Sequence, residues 1–274
     1  MAEQYFTADP TCESKQVPCS FVYRGHGLNF MTDAGVFSKG ELDTGTRLLL
    51  DALPDVYGDV LDLGCGWGAI GVAVKKKYPA AHVTMVDVNR RALELCRFNA
   101  VRNGITAECL ESDGMAEVME RTFDFIITNP PIRASKPVIY RMFADAASRL
   151  NPGGALYLVI RKQQGAESCM KYLKTLYAKV DKVDKSGGFW VLRATEPLKK
   201  TKRRRKQLMH TFDESYFDAG LDRRGTRCEK WDGTEKESVL PLWVADMDFP
   251  SPPEVAEAIA VRALHPTYGY TLVL

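Results

Sequence analysis

The chain has 274 residues, 45% of them hydrophobic, enough for one good core and the beginning of a second. Its formal net charge of +2 and pI near 8.1 are too mild to announce a nucleic-acid binder through charge alone. No run approaches the roughly 18 apolar residues that span a bilayer, and no charged-then-apolar signal peptide opens the chain. The seven cysteines are odd in number and form no doubled C-x-x-C pattern, so a zinc ribbon is excluded and no metal is expected. Reduced thiols in a soluble cytoplasmic protein are expected instead.

Residues 1–55 read as an irregular arm followed by a helix from about Thr44 to Ala52, packed over one edge of a sheet. From residue 56 to 197, short apolar runs alternate with longer helical stretches, the pattern of strands joined by crossover helices. Strands are expected near 60–63, 82–87, 106–110, 123–128 and 154–160. Two further runs, 178–183 and 188–194, lie too close together to admit a helix and are expected to pair as an antiparallel hairpin. The fold class is therefore α/β: a seven-stranded, mostly parallel, doubly wound sheet with one antiparallel strand.

Beyond Pro197 the texture changes. Residues 198–210, with Lys199, Lys200, Lys202, Arg203, Arg204, Arg205 and Lys206, have no apolar periodicity and read as a basic linker. In 211–274, Ser251-Pro252-Pro253-Glu254 carries the cap, first-turn proline and third-position glutamate of a helix start, continuing to about Leu264. So little periodic structure makes a weak independent core, and a poorly folded C-terminal extension is expected.

The most informative stretch is Val60-Leu61-Asp62-Leu63-Gly64-Cys65-Gly66-Trp67-Gly68. An apolar strand ends in a carboxylate, and glycines at alternate positions then let the backbone pass close to a ligand where side chains would block it. A pyrophosphate would be repelled by Asp62, whereas the cationic amino-acid moiety of S-adenosylmethionine suits it. Asp87 closes the next strand, where a carboxylate can accept both ribose hydroxyls. Asp113, in Glu111-Ser112-Asp113-Gly114, is placed to accept from an adenine amino group. The expected cofactor-binding residues are thus Asp62, Gly64, Cys65, Gly66, Gly68, Asp87, Asp113 and Asn129.

Asn129-Pro130-Pro131-Ile132 supplies the second half of the chemistry. The Asn129 side-chain oxygen and the Pro130 carbonyl can each accept one N–H of a planar amino group, holding its lone pair toward an electrophilic methyl. A strong base is then unnecessary, because the proton can leave after the methyl arrives. The order of Asp62 to Gly68, Asp87, Asp113 and Asn129 to Ile132 resembles a class I S-adenosylmethionine-dependent methyltransferase, with a Rossmann-like sheet. More narrowly, Gly35-Val36-Phe37-Ser38-Lys39-Gly40 with Asp43 and Gly45, Asn129 to Ala134, and Lys162-Gln163-Gln164-Gly165-Ala166 resemble the small-domain methyltransferases related to 16S ribosomal RNA guanine-N2 methyltransferases.

That resemblance implies that Asn129 heads the acceptor site and that the substrate is an exocyclic amino group of a small-subunit ribosomal RNA base, most simply guanine N2. The base must be unstacked or flipped to reach it. Methylation of a protein glutamine amide, or a non-catalytic module that binds cofactor and RNA, are the alternatives. Ile132 stands where adenine-N6 enzymes usually carry an aromatic residue, which argues against adenine. Arg133, Lys136, Arg141, Arg161 and Lys162 are candidates for phosphate contacts.

Finally, Phe212-Asp213-Glu214, Lys230-Trp231-Asp232-Gly233, Leu242 to Phe249 and Tyr268-Gly269-Tyr270 resemble the start of a cystathionine β-lyase-like pyridoxal-phosphate aminotransferase. No large domain with a Schiff-base lysine follows, so no pyridoxal chemistry is expected.

Overall fold

Alternating burial organises the first element: Cys19, Phe21 and Tyr23 of β1 (Val17–Tyr23) and Leu28, Phe30 and Thr32 of β2 (His26–Thr32) point one way, while their neighbours face solvent. The two-residue loop Arg24-Gly25 has φ +44° and +83°, the positive pair required by a tight turn that matches strand twist. The expected irregular arm is therefore corrected to an antiparallel hairpin. This computed structural model describes residues 9–131 and 136–198. The basic linker, the aminotransferase-like segment with its expected helix, and the 132–135 stretch with Ile132 and Arg133 lie outside the described residues.

After the hairpin come α1 (Thr44–Ala52), β3 (Asp59–Leu63), α2 (Ala69–Lys77), β4 (His82–Asp87), α3 (Arg90–Arg102), β5 (Glu108–Glu111) and β6 (Phe123–Thr128). Then follow α4 (Lys136–Ser148), β7 (Leu150–Arg161), α5 (Ala166–Leu173), β8 (Tyr177–Ser186) and β9 (Phe189–Pro197). The seven strands order as β5-β4-β3-β6-β7-β9-β8. Pairing is parallel from β5 to β7, and β9 runs antiparallel to both β7 and β8. This is the expected doubly wound sheet with one reversed strand, a class I methyltransferase fold.

β3, β4 and β6 are buried along nearly their whole length because both faces of the sheet are covered. One core holds the hairpin with α1, α2 and α3; the other holds α4 and α5. The hairpin is tied down by two asparagines one helical turn apart, Asn99 on α3 and Asn103 at its C-cap. Asn99 accepts from the Met31 N–H (2.7 Å) and donates to its carbonyl (2.9 Å); Asn103 does the same at Asn29 (3.0 and 2.8 Å). Side-chain amides thus take the place of a neighbouring strand along β2, whose exposed polar edge would otherwise be buried unpaired. Asn99 also donates to the Trp67 carbonyl (2.9 Å), linking the hairpin to the glycine loop.

Reversal of the strand order between β3 and β6 leaves a crevice at the carboxyl ends of these parallel strands, where α/β sheets bind ligands. Among the described residues, no helix is long and apolar enough to cross a membrane.

Candidate active site

β3 gives way to α2 through Gly64-Cys65-Gly66-Trp67-Gly68, with φ +76°, +54° and +90° at the three glycines. The Gly64 and Cys65 N–H groups both donate to the Val86 carbonyl (2.9 Å each), which fixes the loop to the end of β4. A Cβ added at Gly64 or Gly66 would meet no protein atom within 4 Å. Those two positions therefore look into open space, a cradle for a ligand. Gly71 differs: a Cβ there would lie 2.4 Å from Met85 Sδ, so this glycine serves close packing of α2 on the sheet.

The open space is a cavity of about 370 Å³, bounded by the loop, by Asp87, Ser112 and Asp113 at the strand ends, and by apolar Ile70 and Met142. Its size is that of a small-molecule site with few polar groups among apolar walls. The Asp87 carboxylate closes it: Oδ2 accepts from Gly66 N–H (2.7 Å) and Oδ1 from Asn89 N–H (2.9 Å). Burial pushes its pKa up, and the N–H groups of Asn89, Gly66 and Val88 pull against that shift. Asp113 sits exposed on the rim, where both oxygens accept from Arg141 Nη2 (2.7 and 2.9 Å). Arg141, expected as a phosphate contact, is thus committed to Asp113.

Asp62 requires a correction. Expected to oppose a cationic group in the site, it is 1% exposed and lies beneath the loop, outside the cavity lining, with Oδ2 accepting from Gly71 N–H at 2.8 Å. Its Oδ1 is buried without a hydrogen-bond partner. Burial, reinforced by the Asp87 charge and opposed by the Gly71 N–H, raises its pKa to about 7. The folded chain thus holds this proton more tightly than the unfolded chain, and stability present below the unfolded value of 3.8 is lost as pH rises through about 7. Asp62→Asn keeps an oxygen for Gly71 but does not titrate. Thermal unfolding of this variant should vary less with pH than that of the parent; equal slopes would rule out Asp62 as the source.

Cys65 lines the cavity from within the loop, its Sγ 3.9 Å from Cys96, which in turn lies 3.5 Å from Cys109. Burial drives the Cys65 thiol up to about 12, which makes it a neutral packing group rather than a nucleophile. Cys19, Cys65, Cys96, Cys109 and Cys169 are free thiols.

Asn129 follows β6, is half-buried and stands at the cavity wall with Pro130 and Pro131. Its Nδ2 donates to Thr46 Oγ1 (2.9 Å) and Asp43 Oδ2 (3.2 Å). A carboxylate only accepts, so the amide nitrogen is committed to α1 and the amide oxygen is left as the free acceptor. Asp43 is also the N-cap of α1, its Oδ2 accepting from Thr46 N–H at 3.0 Å. Sequence reasoning quoted Asp43 only within a motif and missed Thr46 altogether; the legible signal is an N-cap aspartate with threonine three residues on.

Asp43→Ala removes both the cap and the acceptor for Asn129. The cap loss should cost about 1 kcal/mol of stability, and release of the Asn129 amide should lower turnover by roughly ten- to a hundredfold. Asp43→Asn, which can cap and accept, should restore both; rescue of stability alone would separate the cap from the positioning role.

The Gly35–Gly40 loop forms the remaining wall. It is held by Trp67 Nε1 donating to the Phe37 carbonyl (2.9 Å) and Asn89 Nδ2 donating to the Gly35 carbonyl (3.0 Å). On its other side lies a second cavity of about 330 Å³, which shares Val36, Phe37, Ser38, Asp43, Asn129 and Pro130 with the first. Asn129 therefore stands where a glycine-cradled cavity and a second, more polar-lipped one meet. Gly45 is what lets α1 approach: a Cβ there would come within 2.8 Å of the Phe189 ring and 2.9 Å of Asp43 Oδ2.

The sheet, the glycine cradle and an amide acceptor beyond β6 define a methyltransferase with the class I fold. Residues 27–193 match the methyltransferase small domain, and the chain belongs to that family. It is 41% identical over 198 residues to the uncharacterized protein YbxB of Bacillus subtilis, covering 71% of this chain and 98% of that protein. It is 43% identical over 140 residues to the ribosomal RNA small subunit methyltransferase C of Hahella chejuensis, covering 49% of this chain and 41% of that enzyme. A solved structure of the T. thermophilus 16S rRNA N2 G1207 methyltransferase (RsmC) in complex with AdoMet and guanosine superposes with a TM-score of 0.61 at 28% identity. That match covers 68% of this chain and 52% of the other. The chain thus spans nearly all of the Bacillus relative but about half or less of the two named ribosomal RNA enzymes.

Proposed function

We propose that this protein transfers a methyl group from S-adenosylmethionine to the exocyclic N2 of a guanine in small-subunit ribosomal RNA, in the cytoplasm. The observation that carries this reading is the Asn129 amide oxygen, oriented by Asp43 and Thr46 at the junction of two cavities. The named activities of the H. chejuensis and T. thermophilus relatives, and the guanosine in the latter's complex, support the choice of substrate.

The residues present fit the cofactor. Gly64 and Gly66 leave the room that a bulky ligand needs, Ala69 and Ile70 at the start of α2 line the same cavity, and the Asp87 carboxylate stands in its lining as an acceptor for ribose hydroxyls. Gly68 caps α2, and Asp113 stands on the rim for an adenine edge. When bound, S-adenosylmethionine supplies an electrophilic methyl whose departure leaves a neutral thioether.

On the acceptor side, Asn129 Oδ1 takes one N–H of the 2-amino group and the Pro130 carbonyl takes the other. The amino group is then turned so that its lone pair, drawn out of the ring, points across Asn129 toward the first cavity. Such positioning can contribute on the order of 7 to 11 kcal/mol in favourable cases. Asp62, the carboxylate with a pKa raised to about 7, is sealed beneath the loop and cannot serve the acceptor as base. The proton lost by the methylated nitrogen passes to water after transfer.

Cofactor binding measured beside turnover on small subunits that lack native methylation tests the reading. Binding with transfer into RNA is expected; binding without transfer would reduce the protein to a cofactor- and RNA-binding module.

A further inference from the structure

The second cavity has one wall that the mechanism above does not use. It is made by the end of β7 and the single 3-10 turn Lys162–Gln164 that follows, which bring Arg161 and Gln164 to the lining. The turn is fixed at both ends. Lys162 N–H donates to the Gly188 carbonyl (2.8 Å) in the β8–β9 turn, and Gly165, at φ +96°, closes it and passes directly into α5. The Arg161 guanidinium lies 4.8 Å over the Phe189 ring, and Phe189 in turn packs on Gly45 of α1. The fixed backbone therefore brings one exposed neutral amide and one exposed cation to the lining of the cavity that Asn129 also lines.

The chemistry of the two side chains differs in a way that matters for bases. Arginine offers donors only, whereas a glutamine amide offers a donor and an acceptor side by side. Guanine, with its 2-amino group at Asn129, presents next along the same edge an N1–H donor and then the O6 acceptor. A glutamine amide matches that pair with two hydrogen bonds, its oxygen accepting from N1–H and its nitrogen donating to O6. Adenine held by its own amino group offers N1 as an acceptor and then a C–H, which allows one hydrogen bond. 2-Aminopurine, which keeps the 2-amino group, has an unprotonated N1 and no O6, and likewise allows one.

Resting on the guanine-N2 reading above, we infer that Gln164 is the specificity-determining residue that reads the N1–H and O6 edge of the acceptor guanine. Arg161 holds the Phe189 side of the cavity and contributes no acceptor.

The test uses the full chain, small subunits lacking native methylation as substrate, and guanosine and 2-aminopurine riboside as competitors. With the unaltered protein, guanosine should compete at least several-fold better than 2-aminopurine riboside. Gln164→Leu should lower kcat/KM on subunits by roughly ten- to a hundredfold, erase the preference between the two competitors, and leave the dissociation constant for S-adenosylmethionine within about twofold. A structural defect would weaken all three measurements together. Gln164→Glu, which keeps the acceptor for N1–H and loses the donor to O6, should fall between. Retention of the guanosine preference in Gln164→Leu, or no preference in the unaltered protein, overturns the inference alone. Failure of the unaltered protein to form N2-methylguanosine overturns the reading on which it rests.

Discussion

Replacing Asn129 by alanine should lower methyl transfer by about 10²–10³-fold, the range expected when one preorganised polar contact to the reacting group is deleted. S-adenosylmethionine affinity should change little, because the cradle is built by Gly64, Gly66 and Asp87 rather than by the amide. The stability cost should be small. Asn129 is half-buried, and the groups it leaves, Asp43 and Thr46, keep their own bond to each other at the start of α1. Single-turnover kinetics beside equilibrium cofactor binding separates the outcomes. Loss of both transfer and binding would make Asn129 a structural residue of the β6 end, and unchanged transfer would remove it from the chemistry.

The second large effect is expected at the cradle. Gly66 has φ +54°, and a Cβ there would point into the first cavity without touching the protein. Gly66→Val should therefore cost about 1–2 kcal/mol of stability through its left-handed backbone, while cofactor affinity falls at least a hundredfold, or about 2.8 kcal/mol. Thermal unfolding of the free protein measures the first and calorimetric titration the second. A variant that stays folded and binds normally would show that the ligand does not pass close to Gly66. At Gly71 the opposite pattern applies: a side chain would strike Met85 and the fold itself should suffer.

What could be read from the chain follows from how each feature is encoded. Strands β3, β4 and β6 are short apolar runs closed by turn residues, and the close spacing of β8 and β9 leaves only a hairpin, so the sheet and its reversed strand were legible. Gly64, Gly66, Asp87, Asp113 and Asn129 meet at one cavity because strand ends in such a sheet share an edge. The β1–β2 hairpin was missed although Cys19, Phe21, Tyr23, Leu28 and Phe30 alternate, because Arg24-Gly25 is an unusual turn pair and Pro18 weakens the strand signal of the first run. The role of Asn99 and Asn103 exists only once the hairpin lies against α3.

The side-chain assignments were harder than the backbone ones. Asp62 precedes the glycines and was read as facing the ligand, but strand alternation turns it under the loop to Gly71. Asp43 and Thr46 lie more than eighty residues from Asn129 in sequence, so their grip on its amide is a tertiary fact that no local pattern encodes.

The most direct measurement is transfer of labelled methyl from S-adenosylmethionine into small ribosomal subunits lacking native methylation, followed by digestion and identification of the labelled nucleoside. N2-methylguanosine, formed by the unaltered protein and lost in Asn129→Ala, is the result this account predicts. Label in protein glutamine, or in a nucleoside other than N2-methylguanosine, would contradict it.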